Sequence, residues 1–229
     1  MGRAMCLQFA AAGAAVAFSY HKDEDSALQT KRDIESFGVA AKAIKASVLD
    51  ITAMTKAARD IETSLGAIDI LVNNAGISQP LPFALIEEED WDKVLQTNCK
   101  GQYVASRAVV PGMIRRKQGV ILNIASLAGL RIIEAPVHYS TSKAAIKGFT
   151  EALCKELARY QIRVNCLAPG LLDDGVGLNL PQHRLKDYLD NTALGRVGKM
   201  EEIAKFACFM VSDRNSYMNG ETIMISGGF

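Results

Sequence analysis

Short apolar runs alternate along the chain with longer segments whose apolar residues recur at helical spacing. Six runs rich in Ile, Leu, Val and Ala predict strands at residues 14–19, 40–46, 68–73, 120–125, 163–168 and 222–226. The intervening segments predict helices near residues 3–12, 25–36, 52–65, 88–116, 139–160 and 200–212. Apolar strands separated by helices indicate a parallel sheet that is covered on both faces. The pattern therefore predicts a doubly wound α/β fold.

The composition narrows the class of protein and leaves the prediction of the fold unchanged. The sequence has no repeats, low-complexity tracts or Pro- or Ser-rich linkers, so we interpret residues 1–229 as a single domain. With 49% hydrophobic and 22% charged residues the chain can bury a sizeable core, and its net charge of +1 argues against a nucleic-acid partner. No apolar run approaches the ~20 residues that cross a bilayer, and no signal pattern opens the chain. We therefore expect a cytoplasmic protein with no membrane contact.

The cysteines and histidines form neither a disulfide framework nor a metal-binding pattern. The cysteines are scattered without a CxxC motif, which predicts free thiols in a reducing compartment. The histidines lack metal-ligand spacing, so no metal site is expected. The residues concerned are Cys6, Cys99, Cys154, Cys166, Cys208, His21, His138 and His183.

The stretch from Tyr139 to Lys143, with Ser126 upstream, carries the most specific chemistry. Residues four apart share one face of a helix, so Tyr139 and Lys143 point the same way if the stretch is helical. A phenol has a pKa of ~10, and a neighbouring ammonium favours the phenolate and lowers that pKa. A nearby serine hydroxyl can hold a carbonyl oxygen while Tyr139 delivers its proton. The pattern indicates a proton-relay site for carbonyl and alcohol chemistry, although an ordinary helix can show the same spacing.

Small or polar residues follow three of the predicted strands. Residues 73–76 (Asn-Asn-Ala-Gly) follow the third strand, Ser126 follows the fourth, and Pro169-Gly170 follows the fifth. Each alone reads as a turn. In a doubly wound fold, however, ligands bind beyond the carboxyl ends of the strands, so the three together predict a binding site.

Taken together, these motifs resemble those of the short-chain dehydrogenase/reductase family, whose members are single-domain Rossmann-type oxidoreductases. Their order and spacing agree over nearly the whole chain. The matching motifs are Asn73-Asn74-Ala75-Gly76, Asn98 within Thr97-Asn98-Cys99-Lys100-Gly101, Ser126, Tyr139-x-x-x-Lys143 and Pro169-Gly170.

The resemblance implies four catalytic residues. Tyr139 would be the general acid in reduction or the base in oxidation. Lys143 would hydrogen-bond the nicotinamide ribose and bias the pKa of Tyr139, while Ser126 would orient the substrate carbonyl. Asn98 would hold a water that links Lys143 to solvent.

The resemblance also implies a set of residues that contact the cofactor. Residues 74–76 would pass beneath the adenosine ribose, residues 47–48 would lie beside the adenine, and Pro169, Gly170 and Leu172 would flank the nicotinamide. Ser47 stands where many members have Asp, and the threonine that often follows Pro-Gly is absent, so two family contacts are altered. The set is Gly2, Tyr20, His21, Ser47, Val48, Asn74, Ala75, Gly76, Tyr139, Lys143, Pro169, Gly170 and Leu172.

The family's first strand and most of its glycine-rich turn have no counterpart ahead of Gly2. That strand is central in the family sheet, so we expect an unfilled slot between the strands at 14–19 and 68–73. Unpaired buried backbone groups cost ~1–3 kcal/mol each, so the chain as given is not expected to fold well alone, and its cofactor binding is expected to be weak or absent. We interpret the sequence as one that starts late.

The cofactor expected from the sequence is NADP(H), with NAD(H) as the alternative. NAD-preferring enzymes place a carboxylate after the second strand, where this chain has Tyr20, followed by His21 and Lys22. Lys22 can attract the 2′-phosphate of NADP(H). Alternatively, His21 and Lys22 are ordinary solvated loop residues, and the acids that follow them leave NAD(H) open.

The tail from residue 194 to 221 resembles the 3-oxoacyl carrier-protein reductase branch of the family. The resemblance implies NADPH-dependent reduction of a 3-oxoacyl thioester, with acyl carrier protein as the expected carrier. A dehydrogenase of sugars, steroids, polyketides or other alcohols is one alternative. A cofactor-impaired member acting as a binding or scaffold subunit is another. We expect substrate contacts from residues 77–83, 127–138 and 171–194, with a lid helix at 181–190 and a homotetramer formed through the helices at 88–116 and 139–160.

Overall fold

Strands and helices alternate as the apolar pattern predicts in this computed structural model, which describes residues 1–175 and 182–229. The helices are α1 (Gly2–Ala11), α2 (Glu24–Glu35), α3 (Ile51–Leu65), α4 (Glu88–Leu95), α5 (Gly101–Arg116), α6 (Val137–Leu157), α7 (Gln182–Asn191) and α8 (Met200–Val211). The strands are β1 (Val16–Tyr20), β2 (Ala41–Lys45), β3 (Ile70–Asn73), β4 (Gly119–Ile124), β5 (Ile162–Pro169) and β6 (Thr222–Ile225).

Local hydrogen bonding explains where the predicted bounds are wrong. The first strand was expected from Ala14 but begins at Val16, because the Ala14 N–H donates to Phe9 O and completes the turn after α1. The helix expected over 88–116 is not uniform, since a π-helical turn, Gln96–Lys100, separates α4 from α5. The helix expected from Tyr139 begins two residues earlier, immediately after Pro136.

The strands form two parallel sheets, one of order β1-β2 and one of order β3-β4-β5-β6. Within the described residues β1 pairs only with β2, and β3 pairs only with β4. Each therefore keeps one edge without a strand partner, as expected for a sheet that lacks its central strand. Helix α1 connects the two parts because it packs on α8 and also on α2 and β1.

Two buried clusters lie on opposite faces of the four-stranded sheet. One joins α1 and α8 to the strands through Met5, Leu122 and Met210. The other joins α5 and α6 to them through Met113 and Ile121, among others. Helices thus cover both faces, and the doubly wound α/β fold is confirmed.

Residues 176–181 of the predicted substrate segment 171–194 lie outside the described residues. They include Pro181, the first residue of the predicted lid helix. The remainder of that helix is present as α7. Over the described parts of the chain, no helix combines the length and apolar character needed to span a bilayer.

Candidate active site

The carboxyl ends of three neighbouring parallel strands bring the predicted motifs to one edge of the sheet. Strands β3, β4 and β5 end at Asn73, Ile124 and Pro169 and run in the same direction. The residues that follow them therefore emerge together, where a doubly wound fold binds its ligands. Helix α6 packs on β5 and on the turn after Ser126, which places Tyr139 and Lys143 at the same edge.

Tyr139 is paired with Ser126. Burial of the phenol raises the pKa of Tyr139, and a hydrogen bond with the Ser126 side chain opposes that rise. The Lys143 ammonium lies 5.8 Å from the centre of the Tyr139 ring. The Tyr139 pKa is therefore raised by burial, whereas the sequence predicted that Lys143 would lower it.

Lys143 is held beneath the end of β4. Its Nζ donates to the backbone oxygen of Ile124 at 2.9 Å, and only 4% of the residue is exposed. Burial lowers the pKa of Lys143 from 10.5 to about 8, and the nearby Cys166 and Cys99 oppose the shift. The Ile124 oxygen also accepts from Gln102 Nε2 at 3.2 Å, so two side chains fix this strand end.

Asn98 lies in the π-helical turn and joins the loop after Gly76 to α6. Its Oδ1 accepts from Ile77 N at 2.8 Å, and its Nδ2 donates to Ile77 O at 2.9 Å and to Ser142 Oγ at 2.8 Å. The Ser142 hydroxyl in turn donates to Tyr139 O at 2.7 Å. The π turn, a feature often found at functional sites, thus aims a buried amide at the helix that carries Tyr139.

The residues around Lys143 fit a nicotinamide nucleotide. An ammonium has three N–H donors, and among the described residues Lys143 uses one of them, on Ile124 O. Two donors remain for the hydroxyls of a ribose. Gly76 lies against this group, since a Cβ there would be 3.3 Å from Lys143 Nζ and 3.2 Å from Asn98 Oδ1.

The residues expected to hold the adenosine half of the cofactor lie at the start of α1 and after β1, β2 and β3. Gly2 opens α1 directly against Asn74, whose Nδ2 would be 2.9 Å from a Cβ on Gly2, and Ala75 follows Asn74 in the loop after β3. Tyr20 ends β1 in the two-stranded sheet, and His21 is exposed beyond it.

Ser47 and Val48 follow β2. The Ser47 hydroxyl accepts from Leu49 N at 3.2 Å, and Val48 packs on the start of α5 at Gly101. These two residues therefore form a fixed turn at the carboxyl end of β2, where the adenine was expected.

The loop after β5 is fixed by backbone hydrogen bonds. The Gly170 N–H donates to Ile225 O at 2.8 Å, and Leu172 forms a parallel bridge with Gly198. The Leu171 N–H donates to the phenol oxygen of Tyr188 at 2.9 Å. The predicted nicotinamide loop, Pro169 to Leu172, is therefore bound to β6 on one side and to α7 on the other.

Sequence reasoning missed Ser142, Gln102 and Tyr188. Ser142 stands three residues after Tyr139, so helical spacing could have placed its hydroxyl in the site. Gln102 and Tyr188 carried no local signal, because their partners are distant backbone atoms. His138, which lies next to Tyr139, is fully buried at the start of α6, and burial lowers its pKa.

Comparisons with known proteins identify the family of the chain. A family model described as enoyl-(acyl carrier protein) reductase matches residues 1–229. The 3-oxoacyl-[acyl-carrier-protein] reductase FabG of Thermotoga maritima is 36% identical over all of this chain and 92% of its own length. Its namesake in Aquifex aeolicus is 34% identical over the same shares.

Solved structures show the same relationship. A 3-oxoacyl-[acyl-carrier protein] reductase from Brucella melitensis superposes with a TM-score of 0.92 at 30% identity, covering 100% of this chain and 86% of its own. A gluconate 5-dehydrogenase from Burkholderia cenocepacia, in complex with NADP and tartrate, gives 0.93 at 31% identity, covering 99% and 89%.

The fold, the strand-end motifs and these likenesses define an oxidoreductase of the Rossmann class. The chain belongs to the short-chain dehydrogenase/reductase family, whose members use a nicotinamide cofactor.

Proposed function

We propose that the protein reduces a carbonyl to an alcohol with NADPH, and that its substrate is a 3-oxoacyl thioester. The observation that carries the proposal is the placement of the Tyr139 phenol beside the Ser126 side chain, with Lys143 buried next to them. Two hydroxyls at one point can address a single oxygen atom, as reduction of a ketone requires.

The chain's own residues supply the proton and the orientation. Ser126 and Tyr139 donate hydrogen bonds to the carbonyl oxygen, and the Tyr139 proton passes to that oxygen as the alcohol forms. Bound NADPH would supply the hydride to the β-carbonyl carbon. The phenolate left on Tyr139 is stabilised by the Lys143 ammonium, and in this proposal Asn98 holds a water that links Lys143 to solvent.

The preference for NADPH is supported by the loop after β1. Asp23, the first acid after Tyr20, caps α2 by accepting from Ser26 N at 3.0 Å. Its carboxylate is therefore engaged, while Lys22 is exposed. The Burkholderia neighbour named above was solved with NADP. The ratio of kcat/KM for NADPH and NADH tests this preference, and a ratio at or below one would reverse it.

The thioester substrate is supported by the names of the relatives, which are 3-oxoacyl-[acyl-carrier-protein] reductases. Acyl carrier protein is accordingly the proposed carrier. The gluconate 5-dehydrogenase neighbour supports a second candidate function, that of a dehydrogenase of a sugar or another alcohol.

We also propose a single-domain chain that works as a cytoplasmic homotetramer. All five cysteines are free thiols, which suits a reducing compartment. The outer face of α6 is exposed and lined by small residues that would allow close helix packing: Thr141, Ala144, Ala145 and Gly148.

A substrate screen with Tyr139→Phe as the test variant examines the proposed activity. Wild type should oxidise NADPH with a 3-oxoacyl thioester, and the variant should lose about 10²–10⁴-fold in kcat with a much smaller change in its Kd for NADPH. Tyr217→Phe, at a fully exposed position, is the matched control. Turnover of sugar acids alone would favour the second candidate, and weak or absent cofactor binding without any turnover would favour a cofactor-impaired binding or scaffold subunit.

A further inference from the structure

Helix α7 is attached to both walls of the site through one of its faces. Arg184 and Tyr188 are four residues apart and so lie on the same face. Arg184 forms an ion pair at 2.5 Å with Glu134, in the loop between Ser126 and α6. The Tyr188 phenol oxygen accepts from Leu171 N at 2.9 Å and donates to Ser226 O at 3.3 Å. The helix thus spans from the catalytic loop to the loop after β5.

Tyr188 is firmly held on the β6 side. Its ring stacks on Phe229 with centroids 5.1 Å apart, and its backbone oxygen accepts from the Thr192 hydroxyl at 2.8 Å. The Leu194 N–H donates to Gly227 O at 3.0 Å, which fixes the segment after α7 to the same tail. The phenol is therefore presented to Leu171 from a fixed position.

Two features show that the contact is built for a hydroxyl. Gly170 has no side chain, and a Cβ there would collide with the Tyr188 phenol oxygen. Within the described residues the Leu171 N–H has no other acceptor, and a part-buried backbone donor is costly to leave unpaired. The Glu134–Arg184 pair is more exposed and therefore weaker, which makes Tyr188 the principal attachment.

We propose that Tyr188 is a positioning residue that latches α7 to the loop carrying Gly170 and Leu172, so that the substrate-side helix and the cofactor loop become ordered together. The consequence for cofactor binding rests on the proposed function. Without the hydroxyl, the loop is less ordered in the free protein and must be ordered on binding, which weakens affinity.

Hydrogen exchange of the protein without cofactor tests the latch itself. In Tyr188→Phe, which keeps the ring and its stacking, the Leu171 amide and the amides of α7 should exchange about tenfold faster together. Amides of the core strands should be unchanged. Tyr217→Phe should exchange like wild type throughout. Unchanged exchange at Leu171, or loss of protection at Leu171 without α7, would overturn the proposal.

NADPH fluorescence titration tests the consequence. We expect Tyr188→Phe to raise the Kd for NADPH about three- to tenfold and to raise KM for the carbonyl substrate, with kcat changed less than twofold. A purely structural role would lower thermal stability and leave Kd as in wild type, and that result would overturn the coupling. If wild type binds no nicotinamide cofactor, the proposed function fails, while the exchange experiment still decides on the latch.

Discussion

The side chains of Asn98 and Ser142 are joined by a buried hydrogen bond of 2.8 Å across 44 positions of sequence. The bond ties the π-helical turn to α6. The Ser142 hydroxyl donates a second hydrogen bond to the backbone oxygen of Tyr139 at 2.7 Å. Asn98 also holds Ile77 through both its amide atoms. The loop after Gly76 and the helix that carries Tyr139 are therefore fixed relative to each other by two short polar side chains.

This relationship predicts the effect of Ser142→Ala. The variant removes two hydrogen bonds of the Ser142 hydroxyl: the one it accepts from Asn98 Nδ2 and the one it donates to Tyr139 O. Asn98 Nδ2 still donates to Ile77 O. We expect the free energy of unfolding to fall by about 1–2 kcal/mol, as for other lost buried hydrogen bonds. Because the start of α6 is less firmly placed, kcat should fall about tenfold, while the Kd for cofactor should change less. Urea denaturation and steady-state kinetics measure the three quantities.

Ser140→Ala is the matched control for that prediction. Ser140 lies two residues earlier on α6, and its side chain makes no hydrogen bond with the described residues. It should behave like wild type in both assays. Equal effects at 140 and 142 would mean that helix propensity, and not the link to Asn98, explains the loss.

The elements and the positions of the candidate catalytic residues could be predicted because their signals are local. Strand-like runs, the spacing of Tyr139 and Lys143, and the polar residues after strand ends depend on neighbours in sequence. The partners of Lys143 and Tyr188 could not be predicted, since Ile124 O and Leu171 N are backbone atoms distant in sequence. The direction of the Tyr139 pKa also depended on burial, which spacing does not report.

The buried ammonium of Lys143 predicts a pH-dependent cost to stability. Its pKa is about 8 in the folded protein against 10.5 when unperturbed. Below pH 8 it is charged in both states, so the full cost of burying the charge is present. Between pH 8 and 10.5 the folded state releases the proton first, so this contribution to stability rises with pH until the cost is gone.

Lys143→Met should therefore be more stable than wild type by up to about 3 kcal/mol below pH 8, given ~1.4 kcal/mol per pKa unit. The gain should shrink as pH rises toward 10. Ile124 O keeps Gln102 as a donor, which limits the loss from the missing hydrogen bond. Urea denaturation from pH 6 to 10 measures the difference in the free energy of unfolding between Lys143→Met and wild type. Lys147→Met, one turn further along α6 at an exposed position, should show no such trend.

The exposed face of α6 predicts how assembly responds to Gly148→Arg. Nothing lies within 4 Å of a Cβ built on Gly148, so the single chain should tolerate the larger residue. If α6 packs against another copy, the arginine should block that contact. Light scattering should show wild type at four times the 24.8 kDa chain and the variant at a smaller mass with unchanged circular dichroism. A tetrameric variant would place the assembly on another face.

The strand edges of β1 and β3 that have no strand partner in the described residues predict a response to an added strand. We expect an engineered version, extended ahead of Gly2 by an apolar strand and a glycine-rich turn, to pair with both edges. Each new backbone hydrogen bond contributes ~0.5–1.5 kcal/mol, so the midpoint of urea unfolding should rise. Backbone N–H groups placed at the start of α1 should also bind a pyrophosphate, so NADPH should bind at least tenfold more tightly. An equally long Gly-Ser extension is the control, because it supplies chain length without a strand. If both extensions behave alike, the two edges do not accept a strand and the cofactor must be held by the residues already in place.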